Sequence, residues 1–126
     1  MAATLELRVV TPEKPIFEGD VEFVTVPAHD GEVGILPRHA RFLASLGVGE
    51  LRAGKGAGAV RLFVEGGFVQ VSGSRVTVLC DRAAAIDGLD PQRADAEAEA
   101  AATDRPARLR AQRRAAAMRR VLARRP

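Results

Sequence analysis

The most familiar chemical pattern in the chain is Gly49–Lys55, GELRAGK, which fits the GxxxxGK spacing of a phosphate-binding loop. That chemistry needs a Ser or Thr next, whose hydroxyl holds magnesium, and then a helix whose first amides cradle phosphate. Gly56 stands where the hydroxyl belongs, and GKGAGAV continues as a glycine-rich loop between strands. The two histidines, His29 and His39, lack the partners that would make three or four metal ligands. Ser45, Ser72 and Ser74 lack the glycine-flanked turn that exposes a catalytic serine. Cys80 closes an alternating apolar run and reads as a small buried group rather than a nucleophile. With no Trp, no Tyr and five Phe, no base-stacking surface is expected, which argues against nucleic acid as a partner. These side chains predict a protein that is not an enzyme by its own residues.

One segment remains distinctive without being catalytic. Asp30–Leu43, DGEVGILPRHARFL, packs two glycines, a proline, a histidine and two arginines around short apolar pieces. Asp30-Gly31 is a two-residue hairpin signal, because both residues tolerate positive φ.

The surrounding elements change period once. Residues 1–86 read as short strands rich in β-branched residues: Leu5–Val10, Val21–Val26, Glu32–Leu36, Val60–Glu65, Gly67–Val71 and Arg75–Cys80. Turn signals separate them, so an antiparallel β-sandwich is expected over residues 1–86. Residues 87–126 read as a two-helix hairpin. Asp90 followed by Pro91 is an N-cap with proline at the first helical position. Thr103–Pro106 breaks this helix and starts a second. There Ala107, Ala111, Ala115, Met118 and Leu122 make one narrow stripe, so the hairpin should bury little and be marginally stable.

Charge follows the same division. Residues 1–86 carry nine basic and ten acidic side chains, whereas residues 87–126 carry ten basic and six acidic. From Arg105 onward there are nine arginines and no acid. That arginine face fits three roles: a solvated surface, a dock for an acidic protein, or a contact with nucleic acid or anionic lipid. No run of eighteen apolar residues spans a membrane. MAATLELRVV has no basic stretch leading into an apolar block, so no secretory leader is expected there. The single cysteine permits no internal disulfide, in keeping with a reducing compartment.

Five stretches occur in an order that carries a resemblance. They are PxxxGEVGILPRHARFL (Pro27–Leu43), GxLR (Gly49–Arg52), VEGGFVQV (Val64–Val71), VTVLCDRA (Val76–Ala83) and LDPQRA (Leu89–Ala94). With them the chain resembles, over nearly its whole length, the epsilon subunits of F-type ATP synthases, counterparts of the mitochondrial delta subunit. The resemblance implies a non-catalytic part of the rotor's central stalk. Its sandwich would touch the gamma subunit on one side and the polar loops of the membrane c-ring on the other. Gly31, Glu32, Gly34, Pro37, Arg38 and His39 would form that interface, with Glu32 at the acidic position associated with ring contact. The hairpin would be regulatory, meeting the alpha and beta subunits through its arginines and inhibiting ATP hydrolysis. Asp90 and Arg93 match an [I/L]DxxRA motif that implies regulatory ATP; the alternative is that Asp90 simply caps its helix. The implied location is peripheral, on the cytoplasmic face of a bacterial inner membrane.

Overall fold

A computed structural model of the chain describes residues 4–55, 58–86, 89–101 and 103–123. Eight strands come first: β1 Leu5–Val10, β2 Pro15–Val21, β3 Phe23–Ala28, β4 Gly31–Ile35, β5 Phe42–Ser45, β6 Val48–Lys55, β7 Gly58–Ser72 and β8 Arg75–Ala85. Two helices follow, α1 Pro91–Ala100 and α2 Arg105–Ala123. The strands form one hydrogen-bonded ladder, β2-β1-β8-β7-β6-β3-β4, with β5 also on β7, folded into a sandwich. Alternation along each strand supplies the core. Leu5, Leu7 and Val9 of β1 point inward with Val24, Val26, Ile35, Leu51, Val64, Val69, Val76 and Val78, all fully buried. Glu6 and Arg8, the intervening residues, stay exposed.

The sandwich-plus-hairpin plan is as expected, but several details differ. One pair, β1 with β8, is parallel, because β2 to β7 form the crossover that brings the chain back beside its start. The expected strand Val21–Val26 starts at a corner: Val21 ends β2, Glu22 donates its amide to Gly54 O at 2.6 Å, and Phe23–Val26 open β3. β2 itself was hidden by Pro15 and Gly19; it lies at the edge of the ladder, where an initial proline costs no sheet hydrogen bond. The tight turn between β3 and β4 is His29-Asp30, one residue earlier than the Asp30-Gly31 expected, and Gly31 (φ 131°) opens β4 opposite Ala28. β5 and β6 were not anticipated. β6 contains the GxxxxGK stretch as plain strand and pairs Lys55 with Gly58, where a glycine-rich loop was expected; residues 56–57 of that expected loop lie outside the described residues.

The two strands expected on either side of Gly66-Gly67 are one long strand with a bend. β7 pairs β6 through residues 58–65 and β5 through residues 68–71. Gly66 and Gly67 take φ of 67° and 102° at the joint. A Cβ on Gly67 would collide with the carbonyl oxygen of Leu79. The crossing chain is tied to the same joint, since Leu46 donates to Gly67 O at 2.9 Å and Gly66 to Gly47 O at 3.1 Å.

Both helices begin as their sequences dictate. Asp90 caps α1, its carboxylate accepting from the amides of Gln92 (3.1 Å) and Arg93 (3.3 Å), with Pro91 first in the helix. Asp104 caps α2 through Ala107 N at 3.2 Å. The buried face of α2 is wider than the expected stripe. Ala111 and Ala115 are buried, while Ala107, Met118 and Leu122 are only half-buried; Arg114, Ala117 and Val121 are buried in addition. The reason is a second neighbour, because α2 packs on the sandwich as well as on α1. Ala117 and Val121 join Phe63 and Ile86 in a small core, flanked by Val48, Leu89 and Met118.

Candidate interface surfaces and the cleft under the hairpin

β4 is the free edge of the ladder, and this explains much of the Asp30–Leu43 segment. Gly31 and Gly34 face open space, so nothing blocks a partner from lying against the backbone there. Glu32 is exposed and sits 3.6 Å from Arg52 Nη2. Arg52 also reaches Glu50 Oε1 at 3.6 Å, and the buried Glu50 (5% exposed) takes a 2.5 Å hydrogen bond from Arg61 Nε. A ladder of alternating charge thus runs from the edge strand across β6 to β7. Glu50 and Arg52 are two residues apart on one strand and share a face, a signal present in the sequence and not used.

Leu36–His39 forms the next turn. His39 donates its amide to Leu36 O at 3.1 Å, Pro37 stands second and Arg38 third with φ 67°. That is the pattern of a type II turn, with an arginine where glycine is preferred. The His39 ring is half-buried against Phe42, 5.9 Å between centroids and edge-on. Its Nδ1 lies 2.7 Å from the Ala40 carbonyl, so His39 is held by its own loop. Beyond the turn, the outer face of the sandwich carries an apolar patch missed in the sequence. Phe68 stands opposite Leu79 across β7 and β8, and Leu43 of β5 is diagonal to Phe68 on the same face. These three side chains are 51–68% exposed.

A second feature is a cleft of about 570 Å³ between hairpin and sandwich. Asp90 and Arg93 both line it. At its back Arg114, 8% exposed, donates from Nε to Glu65 Oε1 at 2.5 Å and from Nη2 to Glu65 Oε2 at 3.1 Å. Its Nη1 donates to Glu97 Oε2 at 2.5 Å, and Arg82 Nη1 approaches the same oxygen at 3.8 Å. The hydrogen bonds that Arg114 donates to Glu65 push its pKa up, so the guanidinium is firmly charged. The clue in the sequence was an arginine standing inside an alanine stripe, at i+3 from Ala111.

The cleft suits a triphosphate poorly in this arrangement. Glu13, Glu65, Asp81, Asp90 and Glu97 line it against Lys14, Arg82, Arg93 and Arg114. Asp90 is occupied as a cap, and Arg82 and Arg114 already face carboxylates.

Neither surface gathers reactive groups. Cys80 is buried in the sandwich core, and burial with the neighbouring Asp81 charge pushes its thiol up to about 11. No cluster of three potential metal ligands occurs among the described residues. None of the described helices is long and apolar enough to cross a membrane. Residues 4–86 match the family model of the ATP synthase delta/epsilon chain beta-sandwich domain. The chain is 46% identical over 96 residues to the ATP synthase epsilon chain of Desulforamulus reducens, covering 76% of this chain and 73% of that one. It is 39% identical over 93 residues to that of Bacillus subtilis strain 168, covering 74% and 70%. The chain therefore belongs to the ATP synthase epsilon chain family, whose members are subunits of that complex and not its catalytic ones. Among solved structures, it is similar to a chain of the Euglena gracilis mitochondrial ATP synthase, with a TM-score of 0.76 and 20% identity over 96% of this chain and 81% of that one. A chain in the central stalk and c-ring of the Tetrahymena thermophila mitochondrial enzyme gives 0.58 and 15%, over 86% and 96%. At those identities the likeness is one of fold.

Proposed function

We propose that this chain is a rotor component of the central stalk, passing c-ring rotation through the gamma subunit to the catalytic head, where other subunits make ATP. The observation that carries the reading is the exposed patch of Leu43, Phe68 and Leu79 on the outer sheet face. A sandwich with a filled core has no internal use for these side chains. A rotor part needs a wide, rigid, apolar contact with its axle. The patch is the gamma side of the subunit in this reading. The open edge strand, with Gly31, Glu32 and Gly34 and the turn Pro37-Arg38-His39, is the ring side. Glu32 meeting basic loop residues would set register more than affinity, since an exposed pair contributes little. The subunit then sits at the cytoplasmic face of a bacterial inner membrane, peripheral to it.

Residues 87–126 are the regulatory part in this reading, with the exposed arginines of α2 meeting acidic segments of the alpha and beta subunits. Regulatory ATP at Asp90 and Arg93 is a separate matter, which equilibrium dialysis of the isolated chain with ATP decides.

Gel filtration of the chain with purified gamma subunit from the same source tests the main reading. A one-to-one complex is expected, and Phe68→Glu should abolish it. Separate elution of the unmodified chain at micromolar concentration overturns the assignment. Crosslinking of Glu32→Cys to a cysteine in a c-ring loop tests the ring side, and labelling spread over other subunits would remove it.

A further inference from the structure

We infer that Arg114, with Glu65 and Glu97, is an ionic bolt that holds the helical hairpin down on the sandwich and sets how readily it comes away. One guanidinium fastens three elements. Its fork takes both oxygens of Glu65 on β7, its remaining amino group takes Glu97 on α1, and its own backbone belongs to α2. Arg82 of β8 approaches the same Glu97 oxygen, at 3.8 Å. No other described residue of the hairpin makes a buried polar contact of this kind with the sandwich.

The rest of the attachment is slight. The apolar contact consists of Ala117 and Val121 on Phe63 and Ile86, with three half-buried neighbours. Beside it lies the open cleft, so the helices meet the sandwich over only part of their length. An attachment with so little apolar area is governed by its few strong polar contacts.

An ion pair suits a releasable attachment better than it suits permanent stability. Replacing a buried pair by apolar residues of similar size is often neutral or stabilising, whereas removing one partner leaves an uncompensated buried charge. On release, Arg114, Glu65 and Glu97 all regain water. A leucine seam of equal strength would instead expose an apolar face and invite aggregation. The pair also fixes register, because a planar fork accepts a carboxylate in one orientation only. The hairpin should therefore be either seated or off, with few intermediate positions. This inference concerns the isolated chain and stands apart from the partners that the hairpin meets.

Trypsin reports the release directly, since α2 is rich in arginine and a helix seated on a sandwich is cut only when it opens. The full-length chain is compared with Arg114→Met and with Arg113→Met, each of which removes one cleavage site. Arg113 is an exposed neighbour. Cleavage within α2 should be roughly tenfold or more faster in Arg114→Met and unchanged in Arg113→Met, because cleavage follows the open population. Residues 4–86 should stay intact in both. Equal rates in the two variants overturn the bolt. If Arg114→Met is digested throughout, Glu97→Gln decides instead. Glu97 lies half-exposed on α1, so the change spares the sandwich while loosening one arm of the bolt. Faster cleavage confined to the hairpin is expected, and a wild-type rate in Glu97→Gln overturns the inference.

Discussion

Leu5, Leu7 and Val9 in β1 and Ala111, Ala115 and Ala117 in α2 are buried to nearly the same fraction, yet they hold their elements in place very differently. A fully buried Leu or Val stabilises by roughly 1.5–3 kcal/mol, and an alanine buries little more than one methyl, worth about 0.8 kcal/mol. The sandwich repeats the large contribution on every strand except β5 and locks each strand by hydrogen bonds to its neighbours. The hairpin relies on alanines, a four-residue apolar cluster and one buried ion group. Fractional burial alone therefore hides the distinction between a part whose geometry is fixed many times over and a part whose seating depends on a few contacts. In the proposed function, the rotor component needs the first property and the regulatory arm the second.

The largest effect expected is at the joint of β7. Gly67→Ala combines φ 102° with a collision against the Leu79 carbonyl oxygen. It should destabilise by more than about 4 kcal/mol, enough to unfold the chain or leave it insoluble. Urea unfolding followed by circular dichroism measures this, and a near-normal midpoint would mean that the bend can move elsewhere. Leu7→Ala, in the centre of the core, should cost about 2–5 kcal/mol by the same measurement. A cost below that of a hairpin alanine changed to glycine would break the contrast between the two regions.

Cys80 tests the sandwich through pH. Its thiol is pushed up to about 11 from an ordinary value of 9.0 by burial and by the Asp81 charge. A raised folded pKa gives a contribution that is complete below about pH 9 and lost as pH rises through about 11. Urea midpoints of the natural chain should therefore fall relative to Cys80→Ala between those pH values. At pH 8.5 the native thiol should be inert to a disulfide reagent and react promptly in urea. A fast native reaction would show that the core near Val10 and Cys80 opens more readily than the hairpin.

Asp90→Ala moves to the weaker region. Losing the cap should cost α1 about 1 kcal/mol. The amides of Gln92 and Arg93 should exchange with solvent several-fold faster, while the sandwich keeps its urea midpoint. A matching drop in the midpoint of the whole chain would mean that hairpin and sandwich unfold as one unit, and the two-region description would fail.

The sandwich-plus-hairpin plan was legible because alternation and helix caps are local signals. β1 matched residue for residue, and Asp90-Pro91 opened α1 as read. The parts that were not legible depended on distant partners. β2 looked broken by Pro15 and Gly19 until its place at the edge made the proline harmless. Gly66-Gly67 read as a turn between strands, but two different strands share one side of β7 and need a bend there. Of the expected interface residues, Gly31, Glu32 and Gly34 share the edge strand β4, and Pro37, Arg38 and His39 lie in the turn after it. The apolar patch escaped notice because Leu43, Phe68 and Leu79 belong to three strands and become neighbours only through register. Arg114 escaped notice for a similar reason, since its carboxylates are 49 and 17 residues away.

The smallest expected effect separates the bolt from ordinary surface pairing within the same hairpin. Arg119 on α2 pairs with Asp95 on α1, and both side chains are about half exposed. An exposed pair holds two long side chains still in high dielectric, so its net contribution is about 0.5 kcal/mol or less. It also lies between the helices and touches no strand. Arg119→Ala should leave the trypsin resistance of α2 nearly unchanged and shift the urea midpoint by no more than measurement error. Salt should distinguish the two arginines further. At about 1 M the Debye length falls to ~3 Å, so the exposed Arg119 pair is screened while the buried Arg114 group is largely shielded from added ions. If Arg119→Ala instead freed the hairpin as readily as Arg114→Met, the seating of α2 would rest on its packing against α1, and the hairpin would leave the sandwich by first coming apart.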